Sequence, residues 1–231
     1  MHAATRNIEF LRKKLSIIIP CAGLGYRMKT YGAKCLIKIN DETIIDRQVR
    51  LFKRYFSEYE IILTTGFQDQ RVRKNIPSQV KTVYNPYYAD TNVLHSIDLA
   101  LQQVTTDKVI IIYGDLVFNG PILKFDRSLS SIIVNDYMKD KEVGCIFNES
   151  NLEQVFYNLS NKWAQILYLT GKELEMFKQV ASNPENHIKF GFEAINEVVD
   201  SGGQFRVQIP QRAKVYDIDF YKDIAIAEGI R

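Results

Sequence analysis

The stretch from Ser16 to Ile39, SIIIPCAGLGYRMKTYGAKCLIKI, joins a short apolar run to a glycine loop, then to Arg27 and Lys34. Backbone amides in such a loop can point at phosphate oxygens, and basic side chains beyond it can neutralise their charge. The order suits capture of a nucleoside triphosphate. Two glycines after a strand also make an ordinary tight turn, so Arg27 and Lys34 give the loop its chemical reading. Acids stand at two other points. Asp115 follows the apolar run KVIIIYG, and Asp217 and Asp219 alternate in VYDIDFYKD. Alternate residues of a strand share a face. Carboxylates at strand ends can hold Mg2+, which takes oxygen ligands and bridges phosphates. The bland alternatives are a turn role for Asp115 and a cap of the last helix by Asp217 or Asp219. Asp219, nearer the strand end, is the better placed of the two for a metal.

These groups need a scaffold, and the first half of the chain supplies its pattern. Continuous apolar strands are expected at Leu15 to Pro20, Tyr59 to Thr65, Val80 to Tyr84 and Lys108 to Tyr113. Helical spacing covers Glu42 to Phe56, Gln68 to Lys74 and Asn92 to Val104. Buried strands alternating with helices predict an α/β fold, with a mostly parallel sheet flanked by helices on both faces. Ligands of such sheets gather beyond the carboxyl ends of the strands, where Cys21 to Arg27, Thr64 to Phe67 and Gly114-Asp115 fall. The second half has strand candidates in quick succession: Ser131 to Val134, Val143 to Phe147, Val155 to Tyr157 and Trp163 to Leu169. Helices follow from Gly171 to about Ala181 and from about Asn186 to Asp200, then strands at Phe205 to Ile209 and Val215 to Ile218 and a last helix near Phe220. This half reads as a small β-rich extension that builds the acceptor side of a cleft. There is no repeat or linker, so residues 1–231 are expected to form one domain.

Composition bounds the function. Hydrophobic residues make up 46% and charged residues 25% of 231, with a net charge of +3. That charge is too small to argue for nucleic acid as a partner. Arg12, Lys13 and Lys14 read as a solvated lead-in to the first strand. Three cysteines without C-x-x-C spacing give neither a disulfide framework nor a zinc site, and the default compartment is a reducing, cytoplasmic one. No apolar run approaches the ~20 residues of a membrane span. The glycine loop is not a dinucleotide fingerprint, because Met28 stands at its third glycine position and the second strand ends LTTGF without an acid. It is not a Walker loop either, as no G-K-[ST] follows.

The ordered set A-G-L-G-Y-R, a lysine before a short apolar strand, G-D after the fourth strand and D-I-D near the end resembles the GT-A-like nucleotidyltransferases over nearly the whole chain. Within them it looks most like the phosphocholine-type cytidylyltransferases, through YNPYYADTNVLHSIDLAL and the FGFEAINEV helix. The resemblance implies a Rossmann-like, GT-A-type mixed sheet in one nucleotidyltransferase domain. Residues 1–130 would form the nucleotide-binding half and residues 131–231 the acceptor half with the second metal-ligand strand. It implies transfer of CMP from CTP to a small phosphorylated or phosphonylated metabolite with Mg2+, releasing pyrophosphate; a role in surface polysaccharide biosynthesis comes from the family alone. By this resemblance Ala22, Gly23, Leu24 and Gly25 cradle the triphosphate, and Arg27 and Lys34 neutralise it and act in catalysis. Thr65 and Gly66 flank the base, Asn92 and Ser96 line the nucleotide pocket, Asp115 and Asp219 hold Mg2+, and Glu193 contacts the acceptor. A homodimer is an allowed assembly. Cys21 stands where the family often has Ala or Gly, and Ala33-Lys34 replaces Pro-Lys. The H-D-A-A-R-P signature of the isoprenoid-pathway cytidylyltransferases is missing, and YGDLVF stands there.

A choline or aminoethyl head group would want aromatic faces, and Tyr87, Tyr88, Tyr137, Phe190 and Phe192 could supply them, although such residues are also ordinary core. His95 reads as structural or pocket-lining, and Trp163 as core. Of three other readings, the glycosyltransferase is disfavoured by its motif and the other two stay open. A sugar-1-phosphate nucleotidylyltransferase would use UTP, dTTP or GTP. A glycosyltransferase would show D-x-D where this chain has Gly114-Asp115-Leu116-Val117. A nucleotide sensor would bind without turnover.

Overall fold

The continuous apolar runs of the first half become the centre of the sheet. In the computed structural model, which describes residues 15–135 and 142–230, β1 (Ser16–Pro20) is buried along its whole length. A strand with no polar face belongs in the interior of a sheet covered on both sides. After the glycine loop, β2 (Lys38–Ile39) and β3 (Glu42–Thr43) form a short hairpin, turned by Asn40 and Asp41 at positive φ. α1 (Ile44–Tyr55) begins where the Thr43 hydroxyl accepts the Asp46 N–H. β4 (Glu60–Thr65), α2 (Asp69–Lys74), β5 (Val80–Tyr84), α3 (Val93–Leu101) and β6 (Lys108–Ile112) follow. The strands align in parallel in the order β5-β4-β1-β6. The strand order reverses at β1, so the loop after β1 opens into the crevice where such sheets bind ligands.

The second half extends the sheet with mixed strands. β7 (Leu116–Phe118) leaves it, while β8 (Ser131–Asn135), β9 (Val143–Asn148), β10 (Asn151–Tyr157) and β11 (Lys162–Thr170) join it. β11 is antiparallel to both β6 and β8. α4 (Gly171–Ser182), α5 (Gly191–Asp200), β12 (Arg206–Gln208), β13 (Val215–Asp217) and α6 (Tyr221–Ala227) complete the chain. The nine-stranded order is β5-β4-β1-β6-β11-β8-β12-β10-β9. β9 also meets β11 through Gly144 and Lys162, so this end of the sheet turns back on itself. The mixed α/β fold with an added β-rich part agrees with the sequence expectation.

Alternation puts the two faces of β1 into different cores. Ile17 and Ile19 pack with Val49 and Phe52 of α1. Ile18 packs with Leu94 and Ile97 of α3, Phe177 of α4 and Ile195 of α5. A third cluster joins Met28, Ile37, Ile39 and Ile44 to Val117, Tyr216 and Ile218, and so fastens the basic loop to the β7–β13 pair.

One boundary differs from the expectation. The helix predicted from about Asn186 begins at Gly191, after a separate 3-10 turn at Pro184–Asn186. The intervening carbonyls are diverted: His187 accepts the Asn92 N–H at 2.8 Å and Lys189 the Leu94 N–H at 3.3 Å. These bonds satisfy the opening turn of α3 and hold residues 187–190 out of a helix. Arg12, Lys13, Lys14 and Tyr137 lie outside the described residues.

Glu60, at the buried start of β4, ties the bottom of the sheet together. Its carboxylate accepts from Ser16 Oγ at 2.7 Å, Thr105 Oγ1 at 2.9 Å and Lys81 Nζ at 2.7 Å. Burial alone would raise its pKa, but the Lys81 contact and the Ser16 and Thr105 bonds outweigh burial and hold it low. A carboxyl depressed in the folded state contributes stability above its unfolded value, about 4.3, and that contribution is lost as pH falls through the folded value. Glu60→Gln should therefore lower the unfolding midpoint at pH 7 and flatten its decline below about pH 4. Parallel melting curves of the two proteins from pH 7 to pH 3 would refute this role.

Candidate active site

A cavity of about 640 Å³ opens above the carboxyl ends of β1 and β6 and is closed on its far side by β9, β10 and β11. Its near wall is the glycine loop. Cys21 N–H donates to Thr64 O at 2.9 Å and Gly114 N–H to Pro20 O at 3.3 Å, so the loop is strung between the ends of β4 and β6. Gly25 has φ +54, a left-handed conformation that side chains resist. Its carbonyl accepts the Met28 N–H at 2.7 Å, which starts the 3-10 turn Tyr26–Tyr31 that carries Arg27. The Lys34 stem runs beneath Gly25, and a Cβ there would lie 3.4 Å from Lys34 Cγ and Cε. The missing side chain thus lets the lysine lie tight against the glycine loop.

Lys34 Nζ donates to Asp115 Oδ2 at 3.0 Å and to Asp219 Oδ1 at 2.8 Å. Arg27 Nη1 reaches the other oxygen of Asp219 at 3.2 Å, with its guanidinium 5.1 Å from the Phe220 ring centre. β13 positions Asp219 by pairing antiparallel with β7, Asp217 opposite Leu116. The Ile218 N–H continues that ladder to Asp115 O at 3.1 Å. Beyond it the buried Asp223 carboxylate accepts the Asp219 and Phe220 N–H groups at 2.9 and 2.7 Å. Burial by itself would lower the Lys34 pKa, but Asp115 and then Asp219 reverse this and hold it above the usual lysine value. Lys34 is therefore a permanent cation. Asp115 Oδ1 is buried and without a hydrogen-bond partner. An orphan carboxylate oxygen beside a second carboxylate is an all-oxygen donor set that fits Mg2+.

The far wall differs in character. Lys162, itself buried, donates to Glu142 Oε1 at 2.8 Å and Asp217 Oδ1 at 2.9 Å. β11 is irregular between Trp163 and Leu167, with Gln165 at φ 55, and Lys162, Trp163 and Gln165 all line the cavity. Bulges commonly re-aim side chains in this way. Tyr157, Phe190 and Phe192 form an aromatic wall: Tyr157 meets Phe192 edge-on at 5.3 Å, and Phe190 stacks on Phe192 at 5.8 Å. The Cys21 thiol faces Cys35, and its pKa is raised by the Cys35 hydrogen bond and then by burial, so it stays a thiol at neutral pH.

Of the residues expected to act, Ala22, Gly23, Gly25, Arg27, Lys34, Asn92, Ser96, Asp115 and Asp219 line this one cavity. Leu24, Thr65, Gly66 and Glu193 do not line it. Thr65 is fully buried, and its hydroxyl donates to the Asp69 carboxylate. Glu193 accepts the Phe190 N–H at 2.7 Å and so caps α5. Asn92 Oδ1 accepts the Val93 N–H, and Ser96 Oγ accepts from the buried Asn85 at 3.1 Å, so both meet the cavity as held groups. His95 is buried off the cavity and Trp163 lines it. Asp217 belongs to Lys162, leaving Asp219 as the partner of Asp115. Sequence reasoning missed Lys162, Glu142, Tyr157 and Gln165. Only the polar positions inside the apolar run KWAQILYLT marked that strand as unusual.

Comparison with known proteins agrees with this architecture. Residues 17–125 match the model of the MobA-like NTP transferase domain. Over 111 residues the chain is 32% identical to the bifunctional protein GlmU of Alkaliphilus metalliredigens (strain QYMF), covering 48% of this chain. The match spans 23% of that relative, about a quarter of its length. Among solved structures, the CTP:phosphocholine cytidylyltransferase LicC of Streptococcus pneumoniae superposes with a TM-score of 0.79 at 16% identity, over 93% of this chain and 98% of that one. The inositol-1-phosphate CTP transferase of T. maritima gives 0.75 at 16% identity, over 96% and 100%. At identities this low the superpositions show the fold alone.

Gly66 serves the site by close approach. A Cβ there would lie 2.6 Å from Ala22 O and 2.7 Å from Tyr88 Cβ. Gly66→Ala should cost about 1–3 kcal/mol through overpacking, lower the melting temperature by several degrees and weaken nucleoside triphosphate binding. A variant that melts and binds like the wild type would show that the loop does not depend on this contact.

Proposed function

We propose that this chain, a nucleotidyltransferase by its fold and by the NTP transferase domain over residues 17–125, transfers CMP from CTP to a small phosphorylated or phosphonylated metabolite and releases pyrophosphate. The observation that carries the reading is the convergence of Lys34 with Asp115 and Asp219 below the glycine loop. The two halves, residues 1–130 and 131–231, act as one catalytic unit, since the cavity takes residues from both. The choice of CTP follows the two CTP-using enzymes, whose TM-scores of 0.79 and 0.75 stand above the 0.72 of a glucose-1-phosphate thymidylyltransferase and of a UDP-glucose pyrophosphorylase with the same fold.

The acceptor oxygen is already anionic and attacks the α-phosphorus in line. The new P–O bond forms as the bond to pyrophosphate breaks, and the electron pair leaves with pyrophosphate. No general base is needed. The barrier lies in bringing two polyanions together and in stabilising charge on the α-phosphate and leaving group. Lys34 meets the α-phosphate, its charge secured by the two acids. Arg27, more exposed and longer in reach, favours the β- and γ-phosphates, where a guanidinium can bind two oxygens. Backbone amides of residues 22–25 cradle the phosphate chain. Asp115 and Asp219 would hold Mg2+, which when bound neutralises phosphate charge.

The aromatic wall suits an acceptor whose free end is cationic, of the phosphocholine or aminoethylphosphonate kind, and Glu142 and Asp217 give that end of the cavity a negative balance against Lys162 alone. A phosphoglutamine-like acceptor would instead use Gln165 and Lys162. Pyrophosphate release, measured with Mg2+, each NTP and a panel of these acceptors plus sugar 1-phosphates, should require CTP and one of the first group. Release only with UTP or dTTP and a sugar phosphate would replace this reading with the sugar-nucleotide one, and NTP binding without release would favour a sensor. Lys34→Ala should lower kcat by about 100-fold or more, roughly the ~3 kcal/mol of a lost transition-state donor. Near-normal turnover would end its assignment. Tyr157→Ala should raise the acceptor KM roughly tenfold, within the range of a desolvated cation–π contact of ~1–2 kcal/mol, and leave the CTP KM nearly unchanged. Equal changes in both constants would show that Tyr157 shapes the cavity and does not select the acceptor.

A further inference from the structure

Behind the cavity, and not lining it, His95, Asp98 and His187 bring two imidazoles and a carboxylate together. One ligand atom from each lies within 4.8 Å of the others. His95 and Asp98 are three apart on α3 and share its face. His187 arrives from the turn after Pro184–Asn186. The two rings are 4.0 Å apart between centroids. Hydrogen bonding does not account for the cluster. His95 Nδ1 and His187 Nε2 are buried and have no hydrogen-bond partner. His187 Nε2 stands 3.6 Å from Asp98 Oδ2, too far for a hydrogen bond. Asp98 is itself oriented by Gln102, whose Nε2 donates to its Oδ2 at 3.0 Å, the kind of outer contact that fixes a ligating carboxylate.

We propose that His95, Asp98 and His187 form a binding site for a divalent transition metal of the zinc type, separate from the Asp115–Asp219 pair. Two nitrogen ligands and one oxygen ligand select such an ion over Mg2+. Zinc bonds of about 2.0–2.2 Å put ligand atoms about 3.3 Å apart, so the open cluster closes on an ion by small side-chain rotations, with water as a fourth ligand. The site is structural. It joins the opening of α3, which presents Asn92, Val93 and Ser96 to the cavity, to the segment that ends in Phe190. The same two segments are already laced by the Asn92 and Leu94 amides to His187 and Lys189. A bound ion would lock the aromatic wall against the nucleotide side.

The test is titration of the full chain with Co2+ in the presence of excess Mg2+, which occupies oxygen-only sites. One equivalent should produce the visible absorption of a low-coordinate cobalt site, raise the melting temperature by several degrees and be displaced by Zn2+. His95→Gln and His187→Gln should each weaken binding by tenfold or more, while Asp115→Asn should leave it unchanged. The chain has three histidines, so NMR of the wild type gives a reading that needs no folded variant: Co2+ should shift the ring signals of two of them at one equivalent. The proposal is overturned if the wild type takes up no stoichiometric Co2+. It is equally overturned if the signal survives both histidine substitutions or disappears in Asp115→Asn.

Discussion

The site depends on one ammonium shared by two carboxylates. Asp115 and Asp219 come from distant parts of the chain and would repel each other if left alone. Lys34 sits between them at 3.0 and 2.8 Å and removes that cost. The same contact fixes the lysine, whose long side chain would otherwise lose about 2 kcal/mol of rotamer freedom on every binding event. Because Lys34 and Asp115 are each only about one-fifth exposed, at 20% and 22%, the attraction is weakly screened by salt. The arrangement is therefore preorganised: the cation and the two acids fix one another's positions with no ligand present.

Everything around this contact reads as its support. The reversal of strand order at β1 opens the crevice, and Gly25 lets Lys34 pass beneath the loop. The β7–β13 pair sets Asp219 across from Asp115, and the third apolar cluster holds that pair to the turn carrying Arg27. Asp223, buried and capping α6, fixes the backbone at Asp219 and Phe220. The interaction is electrostatic, but its geometry is set by apolar burial and backbone hydrogen bonds.

What was legible in the sequence follows from which forces are local. β1, β4, β5 and β6 were readable because burial on both faces leaves an unbroken apolar run, as in SIIIP and KVIII. Lys34, Arg27, Asp115 and Asp219 were readable because each follows such a run or a glycine turn. The capping role of Glu193 was not legible because a glutamate three residues inside a helix looks the same whether it faces a ligand or caps the helix; the Phe190 N–H shows the cap. The helix start at Gly191 was missed for a related reason, since residues 187–190 are held by amides of α3 far away in the chain. Thr65 and Gly66 stand at the predicted strand end, yet one donates into the structure and the other is a point of close approach. Lys162 and Glu142 were invisible because their pairing with Asp217 exists only after β9, β11 and β13 have come together.

The two parts of the chain contribute different groups to the cavity. The NTP transferase match ends at residue 125, and within it lie the glycine loop, Arg27, Lys34 and Asp115. Asp219, Lys162, Glu142, Tyr157 and Phe190 all come later. A protein ending at residue 125 would carry Lys34 beside a single acid and a cavity open on one side. The second half thus contributes both the second carboxylate on Lys34 and the far wall of the cavity. The two halves also share a core, since Phe192 of the aromatic wall lies in the same buried cluster as Ile18 of β1, while β11 joins the sheet beyond β6 and carries its irregularity at the cavity end. Asp219 also ties the two together: an altered second half must still return β13 to β7, or Lys34 loses half of its partners.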